Sequence, residues 1–248
     1  MQGRPAAART PMLPILYEDE WLIFVDKPPG LVVQRGYDAD EPVVFEMVSS
    51  QLEARGERAI LMQRLDRGTS GVLFFSKDPS INAALTRQFE SKRIVKEYAA
   101  IAEGRIGAAQ WIDAPLLRIG PISFGVREGG KRAVTRVEPL AAGDEGTFLR
   151  IRLLTGRTHQ IRVHLAAIGH PLAGDWLYGE RNAARPMLHA RALEMTHPRT
   201  NERIRVEAAL PEDFIAEAGS RDLVLRSPFS VRRSPSIAPD RRRRAIGS

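Results

Sequence analysis

The stretch Met62-Gln63-Arg64-Leu65-Asp66-Arg67-Gly68-Thr69-Ser70-Gly71 runs directly into Val72-Leu73-Phe74-Phe75. The second half is a short, continuous apolar run bounded by small polar residues and glycines, the pattern of a strand buried on both faces. The first half sets one carboxylate between two arginines just ahead of that strand, at the mouth of whatever sheet it joins. Opposite charges nearby favour the ionised form, so Asp66 is expected as a carboxylate fit to act as nucleophile or base. Spacing alone favours a plainer reading, in which Asp66 is a turn residue paired with Arg64 or Arg67.

Outward from this stretch the chain alternates strand and helix signals. Ile15-Leu16-Tyr17 and Trp21-Leu22-Ile23-Phe24-Val25 read as strands around a polar turn, and Lys27-Pro28-Pro29-Gly30 breaks the second of them. Residues 41–54 suit a helix with Pro42 in its first turn and Val44, Met47 and Val48 on one face. A second helix is predicted from Asn82 to Lys92, capped by Ser80 and buried along Ile81, Leu85 and Phe89. Ile94 to Ile101 reads as a strand that puts Lys96 and Tyr98 on one face. The span 104–147 is the least informative. Gly125 to Lys131 imitates a phosphate-binding loop, but Arg132 stands where Ser or Thr is required. Phe148 to Leu154 is predicted as a strand, followed by a turn and a helix from a Thr158 cap through Ile168, ended by Gly169. Leu188 to Thr196 and Ile204 to Leu210 close the series as strands. Several strands in succession with interspersed helices argue for an α+β domain on a mixed, largely antiparallel sheet flanked by helices.

Composition narrows the class. The chain has 248 residues, 43% of them hydrophobic, enough for a substantial core. It has no cysteine, which rules out disulfides and thiolate metal sites. No apolar run is long enough to span a membrane and the amino terminus lacks the apolar core of a signal peptide, so a cytoplasmic, monomeric protein is the default expectation. The net charge of +7 points to a polyanionic partner. Residues 220–248 carry eight arginines against two aspartates, so most of that charge sits in the last segment. The expected organisation is a disordered extension over 1–13, one catalytic domain over 14–219, and a basic, disordered tail over 220–248.

Three ordered motifs carry a family resemblance. Arg64-Leu65-Asp66-Arg67-Gly68-Thr69-Ser70-Gly71 resembles the catalytic motif of the RluA-type pseudouridine synthases, H-R-L-D-x-x-T-S-G, with Gln63 in place of the usual His. Lys96-Glu97-Tyr98 resembles the family's short tyrosine motif. Gly156-Arg157-Thr158-His159-Gln160-Ile161-Arg162-Val163-His164-Leu165, then Gly169-His170-Pro171-Leu172 and Gly174-Asp175-Trp176-Leu177-Tyr178-Gly179, resembles its longest motif. Lys27-Pro28-Pro29-Gly30 also occurs there, usually after Asn rather than Asp26.

The resemblance implies a sheet split by a central RNA-binding cleft and the isomerisation of specific uridines in ribosomal or transfer RNA, without a cofactor or metal. It implies that Asp66 is the catalytic carboxylate, that Arg162 pairs with it, and that Tyr98 contacts the uracil. It further implies that Arg64 enters the base stack when the uridine leaves it, and that Arg67, Lys96, Arg157 and His159 serve RNA binding. Residue by residue, plainer readings stand beside these: a half-buried strand tyrosine, a surface ion pair for Arg64, a solvated Arg157, and packing or hydrogen-bonding roles for His159 and His164. No amino-terminal stretch is long enough for a separate RNA-binding module, which favours a compact stem-loop substrate. A catalytically silent RNA-binding module on the same fold is the alternative expectation, against which Asp66, Tyr98 and Arg162 together speak.

Overall fold

A computed structural model describes residues 12–35 and 41–223. In chain order its elements begin with β1 (Ile15–Glu18), β2 (Leu22–Lys27), α1 (Val44–Glu53), β3 (Ile60–Leu61) and β4 (Ser70–Ser76). A 3-10 turn (Pro79–Ile81) leads into α2 (Asn82–Glu90), followed by β5 (Val95–Glu103), β6 (Gln110–Asp113), β7 (Leu116–Arg118) and β8 (Phe124–Val126). The remaining elements are β9 (Val134–Ala142), β10 (Gly146–Leu153), α3 (Gln160–Ala167), β11 (Leu188–Thr196), β12 (Arg203–Glu207) and α4 (Glu212–Ser220).

Ten strands form one sheet in the order β1-β2-β4-β11-β5-β10-β9-β6, with β12 added to β11 and β3 to β4, while β7 and β8 make a separate hairpin. Every pairing is antiparallel except β4 with β11, which touch in parallel only at Ser70–His189 and Gly71–Ala190. This is the mixed, largely antiparallel sheet the sequence predicts. Helices cover both faces. α1 and α3 pack against Ile23, Val25, Leu73, Phe75, Tyr98 and Ile151 on one side. On the other, α2 packs against Phe24, Val72 and Phe74, and α4 against Ala99, Ile101 and Phe148. All of β4 is buried, which explains its continuous apolar run: a strand covered on both faces has no solvent side to alternate toward.

Several boundaries move, each for a visible reason. α1 begins at Val44 and leaves Pro42 outside, because the first free helical donors are met by carbonyls of the preceding segment: Val44 N–H donates to Val32 O and Phe45 N–H to Val33 O. Ser80 does not cap α2. Asp78 takes that place, accepting from the Ser80 backbone and hydroxyl at 2.8 and 2.7 Å and capping the 3-10 turn ahead of the helix. Thr158 does not cap α3, which starts at Gln160 from a left-handed His159. The strand expected over 204–210 ends at Glu207, and the chain then forms α4, a helix the sequence reading did not include.

The domain also extends past both expected limits. Leu13 is buried in the core. Arg221 pairs with Glu103 and Glu217, and Leu223 packs with Phe148 and Phe214. Residues 220–223, expected in the tail, therefore pack with the domain. Residues 1–11 and 224–248, where the disordered ends were expected, lie outside the described residues. Among the described residues no helix is long and apolar enough to cross a membrane.

Candidate active site

The loop between β3 and β4 is held from beneath by two buried cations. Lys27, fully buried at the end of β2, donates from Nζ to Thr69 O (2.7 Å), Arg67 O (3.1 Å) and Pro28 O (3.0 Å). Arg185, buried and paired with Asp213 of α4, donates from Nη1 to Gly68 O (3.0 Å). Three consecutive loop carbonyls thus receive charged donors, the stronger kind of hydrogen bond. Burial, and then Arg185, push the Lys27 ammonium down to about 7, while Asp66 opposes them. Leu65 plugs the loop into the core, and Gly30 N–H donates to Arg67 O.

The Thr-Ser-Gly end of the motif is structural. Ser70 Oγ meets His189 Nδ1 at 2.9 Å across the parallel junction. Gly71 sits at φ +107°, and a Cβ there would lie 2.3 Å from Ala190 O. No residue but glycine fits both that backbone and that gap.

This scaffold leaves the Asp66 side chain, 27% exposed, facing an open pocket of about 790 Å³. Arg64, Asp66, Arg67, Lys96, Tyr98, Arg157, His159 and Arg162 all line it, so the pocket gathers every site residue the sequence singled out. Their engagements differ. Arg64 is exposed and makes no hydrogen bond or ion pair with a described residue. Arg67 is tied to Glu41 and to Gly30 O. Arg157 Nε donates to Arg132 O at 3.2 Å. Lys96 is half-buried and burial lowers its ammonium. Tyr98 is buried, and burial together with the Asp66 charge pushes its phenol far above the usual range, so it stays protonated.

Arg162 reaches Asp66, and a second carboxylate holds it more tightly. Its Nη1 lies 3.9 Å from Asp66 Oδ2, but its forked hydrogen bonds, both 2.7 Å, go from Nε and Nη2 to the two oxygens of Asp175. Asp175 is fully buried and also accepts from the Leu177 and Tyr178 backbone N–H groups. Burial works against the Arg162 charge, yet Asp175, with Asp66 behind it, raises the guanidinium above its ordinary value. The Tyr178 ring stacks 5.0 Å from that guanidinium. Its hydroxyl accepts from Phe124 N–H and lies 2.8 Å from His159 Nδ1, a hydrogen bond in which either group can donate; burial lowers the His159 imidazole.

The turn before α3 is shaped by Gln160. Its Oε1 accepts from Arg157 N–H and Thr155 Oγ, and its Nε2 donates to Val134 O and Thr135 Oγ. His164 bridges Thr135 Oγ and Ala114 O, the hydrogen-bonding role expected of it. Sequence reading gave no role to Lys27, Asp175, Tyr178, Arg185 or His189. The first three lie in motifs it quoted; nothing in the sequence marks Arg185 or His189.

The profile of the RNA pseudouridylate synthase family matches residues 21–167. The chain is 37% identical over 211 residues to an uncharacterized RNA pseudouridine synthase, YhcT, of Bacillus subtilis, covering 82% of this chain and 70% of that protein. It is 36% identical over 223 residues to the ribosomal large subunit pseudouridine synthase D of Pseudomonas aeruginosa, with the same coverage of each. Among solved structures, human RNA pseudouridylate synthase domain containing 4 superposes with a TM-score of 0.71 at 23% identity, covering 85% of this chain and 93% of that one. Human RNA pseudouridylate synthase domain containing 1 gives 0.68 at 25%, covering 84% and 86%. With its motifs, its sheet and these relatives in agreement, the chain belongs to the RNA pseudouridylate synthase family, in its RluA-type branch, whose members are RNA isomerases.

Proposed function

We propose that this protein converts uridine to pseudouridine in a structured RNA, with Asp66 as the catalytic carboxylate and the pocket above it as the site of the flipped base. The observation that carries the reading is the Asp66 side chain. It is ringed by cations, and yet no described residue donates a hydrogen bond to it. A carboxylate in that state keeps its oxygens available to a substrate.

The reaction breaks the bond from the ribose carbon to uracil N1 and forms one to C5. The C5 proton leaves and N1 gains one, so substrate and product are isomers and no outside reagent is consumed. A uridine within a helix exposes neither atom, so the base must leave the stack. The pocket's volume suits a nucleotide. Asp66 opens the glycosidic bond as nucleophile or base. Tyr98, kept protonated, packs against the uracil and serves proton transfer at C5. Arg162 orients Asp66 through its own anchored position. Arg64, exposed and without a described partner, fills the gap left in the RNA stack, and Lys96, Arg157 and His159 line the path of the phosphates. Ribosomal RNA is the first substrate to test, because curated relatives are named for the large ribosomal subunit; a transfer RNA stem-loop is the second.

The test is Asp66→Asn on one RNA substrate, with product formation and affinity measured separately. The expected result is no detectable pseudouridine with affinity within a few-fold of the parent. Activity within a few-fold of the parent would remove Asp66 from the mechanism. Mapping pseudouridines in cellular RNA with and without the protein identifies the site. A parent that binds RNA but changes no uridine would return the binding-module reading.

A further inference from the structure

Four non-glycine residues among those described have positive φ: Lys92 (56°), His159 (55°), Asn201 (60°) and Asp222 (53°). Two of them, Lys92 and His159, line the pocket. Left-handed backbone is easiest for Gly and next for Asn, Asp and His, whose short polar side chains tolerate it. Lys92 is the one of the four with a long side chain that gains nothing there.

Its conformation is imposed by a helix end. α2 finishes in a Schellman turn: Lys92 N–H donates to Phe89 O at 3.1 Å and Arg93 N–H to Gln88 O at 2.9 Å. That turn requires a left-handed residue at position 92, and helices overwhelmingly supply Gly. The turn is rigid. Gln88 is locked to both backbone groups of Thr196, at 2.7 and 3.0 Å, and Ile94 plugs into the core just beyond. The lysine side chain is exposed and makes no hydrogen bond or ion pair with a described residue. It does nothing for the fold that glycine would not do better.

What it does is face the pocket. Glu90 and Lys92 bring the end of α2 to the rim that Leu154, Thr155, Gly156 and Arg157 continue. Lys92 is close enough to this side for its charge to reach Asp113, which is held low first by its hydrogen bond to Arg132 and only last by Lys92. Asp113 is paired with Arg132 at 2.9 Å and makes no ion pair with Lys92.

We propose that Lys92 is a phosphate contact, kept at a glycine position because the RNA strand crosses the rim between α2 and Arg157. This rests on the RNA-isomerase reading and adds a binding residue to it.

The test uses the full-length protein, its Lys92→Gly and Lys92→Arg variants, and a synthetic RNA hairpin with uridines in the loop, with affinity measured across a salt series. Lys92→Gly removes the charge and relaxes the backbone together. It is expected to lower the log–log salt slope by about 0.7–0.9 and to raise Kd about four- to fivefold at ~0.15 M salt. The same variant should melt about 2 °C higher than the parent. Lys92→Arg should keep the parent's slope and affinity. An unchanged slope and Kd in Lys92→Gly would overturn the contact, and a lower melting temperature would assign the side chain to the fold. A parent that binds with no salt dependence would overturn the proposal and the RNA reading together. A parent that binds but forms no pseudouridine would remove only the isomerase reading, because the slopes still report the Lys92 contact.

Discussion

Replacing Asp175 by Asn tests how the site is held together. Asp175 is fully buried and accepts four hydrogen bonds: two from the Arg162 fork and two from the backbone of residues 177 and 178. Asn preserves the shape and one oxygen, but it turns an amide donor toward a guanidinium donor. Arg162, with only 7% of its side chain exposed, would keep its charge and lose its buried counter-ion. Breaking one side of a buried pair costs about 3–5 kcal/mol. Asp66, 3.9 Å away and partly solvated, can recover some of that by drawing the guanidinium toward itself, so the low end, about 3 kcal/mol, is expected. For a domain of this size that is a fall in Tm of roughly 6–12 °C. The same rearrangement would turn Arg162 hydrogen bonds onto Asp66 and misplace its carboxylate; on the proposed role of Asp66 the expected loss is on the order of a hundredfold in single-turnover rate.

The assay is a double-mutant cycle with Arg162→Met, read by urea unfolding through tryptophan fluorescence and by single-turnover isomerisation. The two substitutions should be strongly non-additive, with a coupling of about 3 kcal/mol. A coupling below about 0.5 kcal/mol would refute the pairing as the force that holds Arg162. A variant that is less stable but fully active would leave Asp175 as a packing residue with no part in aligning Asp66.

Two further predictions concern the Thr-Ser-Gly junction. Gly71→Ala must both adopt φ +107° and push the Ala190 carbonyl aside, and should destabilise the protein by about 3 kcal/mol or prevent folding, as judged by soluble yield and thermal melting. His189 is pushed down to about 4, first by burial and then by Arg191 and Arg185, against the Ala208 carbonyl that favours its charge. Its folded value lies below its unfolded one near 6.5, so the unfolded chain binds the extra proton between these values. Stability from this group is full above about 6.5 and is lost as pH falls through about 4, roughly 3 kcal/mol in all; His189→Gln should flatten that slope in urea melts across the window. A parent with no loss of stability over that window would show that His189 is not held neutral.

The parts of this structure that were legible in the sequence share one property: their side chains say which environment they want. The run from Val72 to Phe75 asks for burial on both sides, and Lys96 and Tyr98 share a face because strands alternate. Helix starts were less legible because they depend on partners far along the chain. Pro42 stays outside α1 because Val32 and Val33 supply the acceptors, and α3 begins two residues after Thr158 because Gln160 folds back onto Arg157. Buried cations were the least legible. Nothing marks a lysine before two prolines or an arginine in a polar loop as buried, since such groups are almost never fully buried unless paired. What pairs Lys27 is a set of backbone carbonyls, which carry no residue identity. The second partner of Arg162 is hidden for a related reason: Asp66 and Asp175 both stand in quoted motifs, and only the fold shows that the guanidinium reaches Asp66 at 3.9 Å while its fork closes on Asp175.

The arrangement resolves a conflict that the role proposed for Asp66 creates. The group must be ionised and fixed, which calls for nearby cations, yet its oxygens must be free, which cations in hydrogen-bond contact would prevent. Here the two demands fall to different atoms. Lys27 and Arg185 spend their donors on the carbonyls of residues 67, 68 and 69, fixing the Asp66 backbone without touching its side chain. Arg162 has both arms of its fork committed to Asp175 and offers Asp66 attraction at 3.9 Å, beyond hydrogen-bond distance. Coulomb attraction falls off slowly with distance and hydrogen bonding falls off steeply, so a cation one ångström too far to bond still attracts the side chain. Moving Arg162 closer would strengthen its hold on Asp66 and occupy lone pairs that the proposed reaction uses. Asp175 keeps that gap open, which is why a buried carboxylate that never faces the substrate should matter to the rate.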